Sequence, residues 1–336
     1  MFFSSKKSIL GIDIGTTNIK IAQITNKDNV HILETYGLVT VPFEIDEKQD
    51  QAVQQTASIL SKLIEKAGVS TRKCVASLPN SAVFTSVIEM PQMNEKELAN
   101  AVEFEAKKYV PLPMSELTLS WSIVEELANG KRMILITAVP NSILKNYLKI
   151  FELCGLEPQA LEIEALALIR SVVGEDKDSN LMIDIGAKLT HLNITEKGNL
   201  LLSRNVPVGG DTITGKIAES LKISMARAEQ FKKDFGINQS SMIPETIRPI
   251  LNTIKVEARQ LQNIYQTKGK KFDKIIIVGG GANLPGLDDF FSDLGPKVIH
   301  GDPLSRLTYN QELKTVVSAY ASNLAVAIGL ALRTSK

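Results

Sequence analysis

Ile12-Asp13-Ile14-Gly15-Thr16-Thr17-Asn18-Ile19-Lys20 and Ile183-Asp184-Ile185-Gly186-Ala187-Lys188-Leu189-Thr190 are the stretches that decide how this chain is read. In each, an apolar strand delivers one aspartate to its end, a glycine turns the chain, and a second strand returns. The first returning strand ends in Ala22-Gln23-Ile24-Thr25, the second in Leu192-Asn193-Ile194-Thr195. The copies start 183 − 12 = 171 residues apart, about half of the 336-residue chain, which reads as an internal duplication. Duplicated domains facing one another place two matching hairpin turns across one cleft.

Such turns suit a polyphosphate. Gly15 admits close approach of backbone to ligand, and the N–H groups from Gly15 to Asn18 can cradle phosphate oxygens. Thr16 and Thr17 add hydroxyl donors, and Lys20 can project a point charge. Asp13 suits water held on Mg2+, an ion that keeps several waters when few carboxylates bind it. A plain hairpin with a glycine turn is the other reading of this stretch. The second copy offers Asp184, Gly186, Ala187 and Thr190. Asp184 is either a second outer-shell metal ligand or the group that orients an attacking water. Asp13 and Asp184 are thus the candidate catalytic and metal residues.

A third glycine-bearing element is Ile275-Ile276-Ile277-Val278-Gly279-Gly280-Gly281-Ala282-Asn283-Leu284-Pro285-Gly286-Leu287. An apolar strand ends in three glycines, and a helix is expected after Pro285. Gly280, Gly281 and Ala282 can lie flat against a purine or ribose. No GxGxxG spacing occurs, so a dinucleotide-binding Rossmann unit is excluded. Gly209-Gly210-Asp211 reads equally as a nucleotide contact or a β-turn. Glu229 and Lys232 sit three apart on a predicted helix and share a face, either solvated or turned to a ligand.

The surrounding pattern predicts strands over Ser8–Ile14, Ile19–Thr25 and His31–Val41, a helix over 47–67 and a strand over Cys74–Leu78. A β-α-β-β-α unit follows over 83–155, with Asn94 capping its first helix and a second helix over Ser142–Cys154. Strands over 181–208, helices within about 212–272, the strand Lys274–Val278 and a final helix over Ser318–Arg333 complete the chain. The expected fold class is α/β: duplicated domains with the β-α-β-β-α unit inserted, an arrangement that resembles the actin-like (ribonuclease H-like) fold with an FtsA-type insertion. Segments 1–82, 156–178 and 318–336 form the first, 83–155 an insertion, and 179–317 the second.

Net charge is 38 − 37 = +1, which offers no electrostatic footprint for nucleic acid or an anionic membrane. Cys74 and Cys154 form no metal-type pair, and His31, His191 and His300 are scattered, so a zinc site is not expected. Neither a secretory signal nor a membrane span is expected: Ile275–Val278 and Leu324–Leu332, the most apolar stretches, fall short of the ~20 residues a span needs.

The order of the three loops resembles the actin, Hsp70 and sugar-kinase superfamily. Within it, Leu10–Lys20, Val102–Pro113, Gly155–Pro158 and Ser203–Asp211 are similar to the FtsA relatives and above all to the PilM family of type IV pilus assembly proteins. The resemblance runs from about residue 8 to 332. It implies a cytoplasmic protein that holds Mg-ATP in the interdomain cleft. It also implies a groove beside the inserted unit for the N-terminal cytoplasmic peptide, of Asn-Leu-Leu-Pro type, of a PilN-like inner-membrane protein. PilO-like proteins and pilus assembly ATPases would be indirect partners, the membrane would be reached only through the partner, and homo-oligomers are open. Carried over, Asp13, Gly15, Thr16, Thr17 and Lys20 contact phosphate and metal. Asp184, Gly186, Ala187 and Thr190 form the second phosphate loop, and Gly209, Gly210, Glu229, Lys232, Gly280, Gly281 and Ala282 surround ribose and adenine. Lys188-Leu189 depart from the small or polar residues usual there. Asn141 is the nearest candidate to orient water, so slow or absent turnover is expected. Three other readings stand beside this one: an FtsA-like polymer-forming division protein, a type II secretion platform component and a small-molecule kinase. The end at Arg333–Lys336, without a linker and amphipathic helix, speaks against the first.

Overall fold

The computed structural model describes residues 7–41, 50–80, 82–110, 112–237, 243–267 and 269–333. The expected helix start at 47–49, Pro111 of the Val102–Pro113 stretch, and residues 238–242 and 268 of the helical segment lie outside them.

The chain opens with strands β1 (Lys7–Ile14), β2 (Asn18–Lys27) and β3 (Val30–Thr40), then helix α1 (Asp50–Lys66) and β4 (Lys73–Leu78). An inserted unit follows: β5 (Phe84–Pro91), α2 (Glu95–Ala106), β6 (Leu117–Glu126) and β7 (Lys131–Pro140). Next come α3 (Asn141–Leu153), β8 (Glu157–Ile163) and α4 (Glu164–Leu168), which widens into a π-turn over Ile169–Val173. The first sheet is ordered β3-β2-β1-β4-β8, antiparallel among the first three strands and parallel across β1, β4 and β8.

The second half repeats this plan. Strands β9 (Ser179–Ile185), β10 (Thr190–Glu196) and β11 (Asn199–Val206) lead to helices α5 (Gly210–Leu221), α6 (Met225–Phe235) and α7 (Ile243–Gln266). Then follow β12 (Lys274–Val278), α8 (Leu287–Phe291), β13 (Lys297–His300) and α9 (Lys314–Ala331). The order β11-β10-β9-β12-β13 is that of the first sheet. A register shift falls at Gln23/Ile24 in one half and at Ile194/Thr195 in the other, again 171 residues apart. The turns Asp28-Asn29 and Lys197-Gly198 both take positive φ, as two-residue hairpins between twisted strands require.

Central strands are buried on both faces and are largely apolar, with buried polar residues such as Asp13, Asn180 and Asp184 as the exceptions. Leu10, Ile12 and Ile14 face α1 and α3, while Leu181, Ile183 and Ile185 face α5 and α7. In the inserted sheet, ordered β5-β7-β6, Ile88, Ile134 and Ile136 bury Leu98 and Val102 of α2. Asn94 caps α2 as expected, and the structure completes a capping box: its side chain accepts from the Glu97 N–H, and the Glu97 carboxylate accepts from the Asn94 N–H.

Two placements differ from the sequence reading. The helix expected to close the inserted unit, α3, packs in the first domain's core, where Ile143, Tyr147, Ile150 and Phe151 are buried with Ile12, Ile14 and Leu60. Its amphipathic stripe shows that it buries a face, not against which sheet. The final helix, α9, is longer than the Leu324–Leu332 stretch: its 18 residues and mean hydropathy of 1.2 satisfy the length and composition of a membrane span. Its apolarity serves the core, since Leu324, Ala327, Ile328 and Ala331 are buried against Ala22 and Ile24 of β2. The inserted unit also leans on the second domain, with Val87 and Val124 packed beside Leu200 and Lys197 Nζ 2.6 Å from Glu125 Oε1.

Candidate functional site

The duplication puts two hairpin turns on opposite walls of one cleft, with a volume of about 1550 Å³. Both turns close the same way: the Gly15 N–H donates to Asn18 O at 3.0 Å, and the Gly186 N–H to Leu189 O at 2.9 Å. In both, the aspartate at the end of the first strand stands opposite a basic residue in register, Asp13 across from Lys20 and Asp184 across from His191.

Asp13 is buried; Lys20 Nζ lies 2.8 Å from its Oδ2, and the Ser77 hydroxyl donates to its Oδ1 at 3.1 Å. Burial disfavours the charged form of Lys20, but the charge and hydrogen bond of Asp13, then Glu164 and Asp184, outweigh it and raise its pKa. Burial pushes the Asp184 carboxyl up; His191 and Lys20 oppose the rise, and the Asp13 charge adds to it. Two carboxylates from different domains therefore feel one another, with a lysine among them. Among the described residues no cluster of three or more His, Cys, Asp or Glu forms a metal cage. The donor set fits Mg2+ carried on a ligand's phosphates and reached from Asp13 and Asp184, not one held by protein alone.

On the outer wall, Lys232 Nζ lies 2.6 Å from Glu229 Oε2, 2.9 Å from Thr214 Oγ1 and 3.2 Å from Gly210 O. Burial opposes the ionisation of Glu229, yet hydrogen bonds from Lys232 and Thr214 and the charges of Lys232 and Lys233 bring its pKa down. At the glycine loop, Gly279 takes φ +89°, and a Cβ there would sit 2.2 Å from Asp184 Oδ1. The glycine leaves the room that the Asp184 carboxylate occupies.

Of the sequence-predicted residues, Asp13, Gly15, Thr16, Thr17, Asn18, Lys20, Asp184, Gly186, Ala187, Gly210, Glu229, Lys232, Gly280 and Gly281 line this cleft. Thr190, Gly209 and Ala282 are not among its lining residues. The Thr190 hydroxyl donates to Val208 O at 2.7 Å, and Gly209 is pressed so close to the second turn that a Cβ would meet Ala187 O at 2.3 Å. Ala282 is buried beneath the glycine loop. Asn141, the water-orienting candidate, is likewise not a lining residue; it holds Thr118 Oγ1 at 2.8 Å and Ser115 O at 3.1 Å where β7 meets α3.

Sequence reasoning missed Glu164 and His191. Glu164 starts α4, lines the cleft and accepts from Asn80 Nδ2 at 3.1 Å; His191 Nε2 lies 3.7 Å from its Oε2. Nδ1 of His191 is 2.8 Å from Asn205 Oδ1, which orients the ring. The signal was available: seven residues separate Asp13 from Lys20, and the same spacing from Asp184 reaches His191.

Residues 11–335 match the family described as type IV pilus assembly protein PilM. The chain belongs to the PilM family. A solved PilM-PilN type IV pilus biogenesis complex aligns over 97% of this chain and 98% of that one, with TM-score 0.86 and 25% identity. MreB5 of Spiroplasma citri bound to AMPPNP shares the fold at TM-score 0.56 and 15% identity, covering 96% of this chain and 94% of that one. The cell division protein FtsA of Bacillus subtilis is 27% identical over 68% of this chain, a match spanning 58% of the FtsA length. FtsA of Streptococcus pneumoniae is 24% identical over 82% of this chain and 71% of its own. The actin-like fold that the resemblance of the three loops implied is thus the fold of this PilM family member.

Proposed function

We infer that this PilM family member binds Mg-ATP between its two hairpins and, in the same cleft, a short peptide from a PilN-like inner-membrane protein. The carrying observation is the pair Asp13 and Asp184, brought from duplicated turns into one cleft, with Lys20 bonded to Asp13 and its charge felt by Asp184. Two carboxylates and a lysine match what a metal-bound polyphosphate needs from its site. When bound, Mg2+ would neutralise phosphate charge, with Asp13 and Asp184 holding its waters. Gly279, Gly280 and Gly281 would lie along the nucleoside, and Glu229 and Lys232 beside the ribose.

Glu164, oriented by His191 and Asn80, is the cleft carboxylate suited to hold a water for hydrolysis. The closed geometry that in-line attack needs rests on both turns gripping one ligand. Nucleotide occupancy then acts mainly as a clamp, with slow turnover.

Beyond the turns the cleft runs on under the inserted unit, past Leu38, Ala82, Phe84, Leu112, Pro140 and Ile143. This apolar extension would take the peptide, in keeping with the PilM-PilN complex that the chain resembles. The protein would then stand at the cytoplasmic face of the membrane through its partner.

Fluorescent-nucleotide titration of Asp13→Ala tests the site. Weakened Mg-dependent ATP binding in a protein with unchanged circular dichroism supports it, and unchanged affinity refutes it. Calorimetry with a synthetic Asn-Leu-Leu-Pro-type peptide tests the groove: absence of heat, with or without ATP, would refute the peptide assignment.

A further inference from the structure

The final helix and the glycine loop run side by side along one wall of the cleft. Ala325 of α9 is packed in one cluster with Val278, the last residue of β12. Two residues back along α9, Asn323 stands at Gly280, two residues on from Val278. A Cβ at Gly280 would lie 2.8 Å from Asn323 Nδ2. One turn further back comes Tyr320, which is 46% exposed. This wall therefore leads outward, from Asp184 at Gly279 and the buried Ala325 to an open aromatic ring, and Gly280, Gly281, Asn323 and Tyr320 all line the cleft. The next residue of α9, Leu324, is buried with Ala22 and Ile24 of the first sheet, so Asn323 meets the glycine loop from the other domain. Other amides near the cleft are engaged: Asn80 with Glu164, Asn141 with Thr118 and Asn205 with His191. The half-buried Asn323 amide has no hydrogen-bond partner among the described residues. It brings both a donor and an acceptor to the cleft wall.

We propose that Asn323 reads the base of the bound nucleotide and selects adenine: its Oδ1 accepts from the N6 amino group while its Nδ2 donates to N7. The inference rests on the nucleotide reading above. Phosphates held between the two turns lie at the Asp184 end of this wall. A nucleoside laid along Gly279, Gly280 and Gly281 then carries its base outward to Asn323. An amide matches the donor and acceptor on that edge of adenine, whereas guanine presents two acceptors there, O6 and N7. Guanine would set O6 against Oδ1 and leave one of the two bonds unmade, with the desolvation of both groups uncompensated.

The test titrates wild type, Asn323→Leu and the near-isosteric Asn323→Asp with Mg-ATP, Mg-GTP and Mg-7-deaza-ATP, in which a C–H replaces N7. Thermal melts serve as folding controls. Wild type should bind ATP about tenfold more tightly than GTP, the scale of a bidentate amide–adenine pair, and about fivefold more tightly than 7-deaza-ATP, which forfeits one bond. Asn323→Leu should bind all three within about twofold of one another. Asn323→Asp keeps the acceptor but loses the donor, and should bind 7-deaza-ATP no more weakly than ATP. Equal wild-type affinity for ATP and 7-deaza-ATP, or a preference for ATP that survives in both variants, would overturn the inference while leaving the nucleotide reading intact. A wild-type protein that binds none of the three overturns both.

Discussion

Replacing Gly279 by alanine probes the geometry on which the second turn depends. Gly279 sits at φ +89° and ψ 174°, a region in which a side chain costs about 1–3 kcal/mol. The new Cβ would also stand 2.2 Å from Asp184 Oδ1 and 2.7 Å from Ile185 O. Neither neighbour can retreat freely, because β9 is paired on both sides, with β10 and β12. Overpacking of this kind costs about 1–3 kcal/mol, so the total loss should be about 2–6 kcal/mol, a large share of a typical domain's stability. Gly68→Ala is the control: it too has positive φ, +64°, but nothing lies within 4 Å of its Cβ. Its loss should stay near the ~1–2 kcal/mol of left-handed strain alone. Urea unfolding measures both variants. Gly279→Ala should also lose Mg-ATP affinity through displacement of Asp184, while Gly68→Ala keeps it. Equal destabilisation of the two, with nucleotide affinity unchanged, would refute the claim that Gly279 makes room for the carboxylate.

Three further outcomes follow from the same structure. The Asp184 carboxyl is raised above its ordinary 3.8 by burial, so the folded state holds this proton more tightly than the unfolded chain. Its contribution to stability is therefore present at low pH and lost as pH rises through the folded pKa. Asp184→Asn should raise the melting temperature at pH 7 and flatten that part of the profile while weakening Mg-ATP binding; a lower melting temperature at pH 7 would contradict it. Glu162 is buried and holds Arg170 at 2.7 and 3.0 Å and Arg333 at 2.6 Å. Glu162→Ala removes the carboxylate from both cations, leaving Arg170 its bond to Gly329 O and Arg333 partly in solvent. It should cost about 1–3 kcal/mol by urea unfolding, against less than about 1 kcal/mol for an exposed pair such as Lys216–Glu219. Burial pushes the Cys74 thiol up to about 12 and raises Cys154 as well. Neither should be alkylated by iodoacetamide at pH 8 until urea unfolds the protein, a result mass spectrometry reads directly.

The hairpins, the duplication and most helices were legible in the sequence because each leaves a local mark. Apolar strands, glycine-bearing turns and the Asn94 cap all act within a few residues. What the sequence hid is tertiary. The stripe on α3 is as compatible with the inserted sheet as with the first domain. Thr190, Gly209 and Ala282 lie in or beside the loops that read as nucleotide contacts, but they are spent on Val208, on Ala187 and on the floor of the glycine loop. Glu164 escaped notice because its role comes from where β8 ends, opposite a histidine on the other domain. Comparing the two hairpins residue by residue, beyond the shared Ile-Asp-Ile-Gly, would have found His191.

Crystallising the protein with Mg2+ and a non-hydrolysable ATP analogue tests the central claim most directly. The account predicts phosphates bracketed by the Gly15–Asn18 and Gly186–Leu189 turns, with the metal's waters on Asp13 and Asp184. A nucleotide bound elsewhere, or a cleft that takes none at saturating concentration, would contradict it.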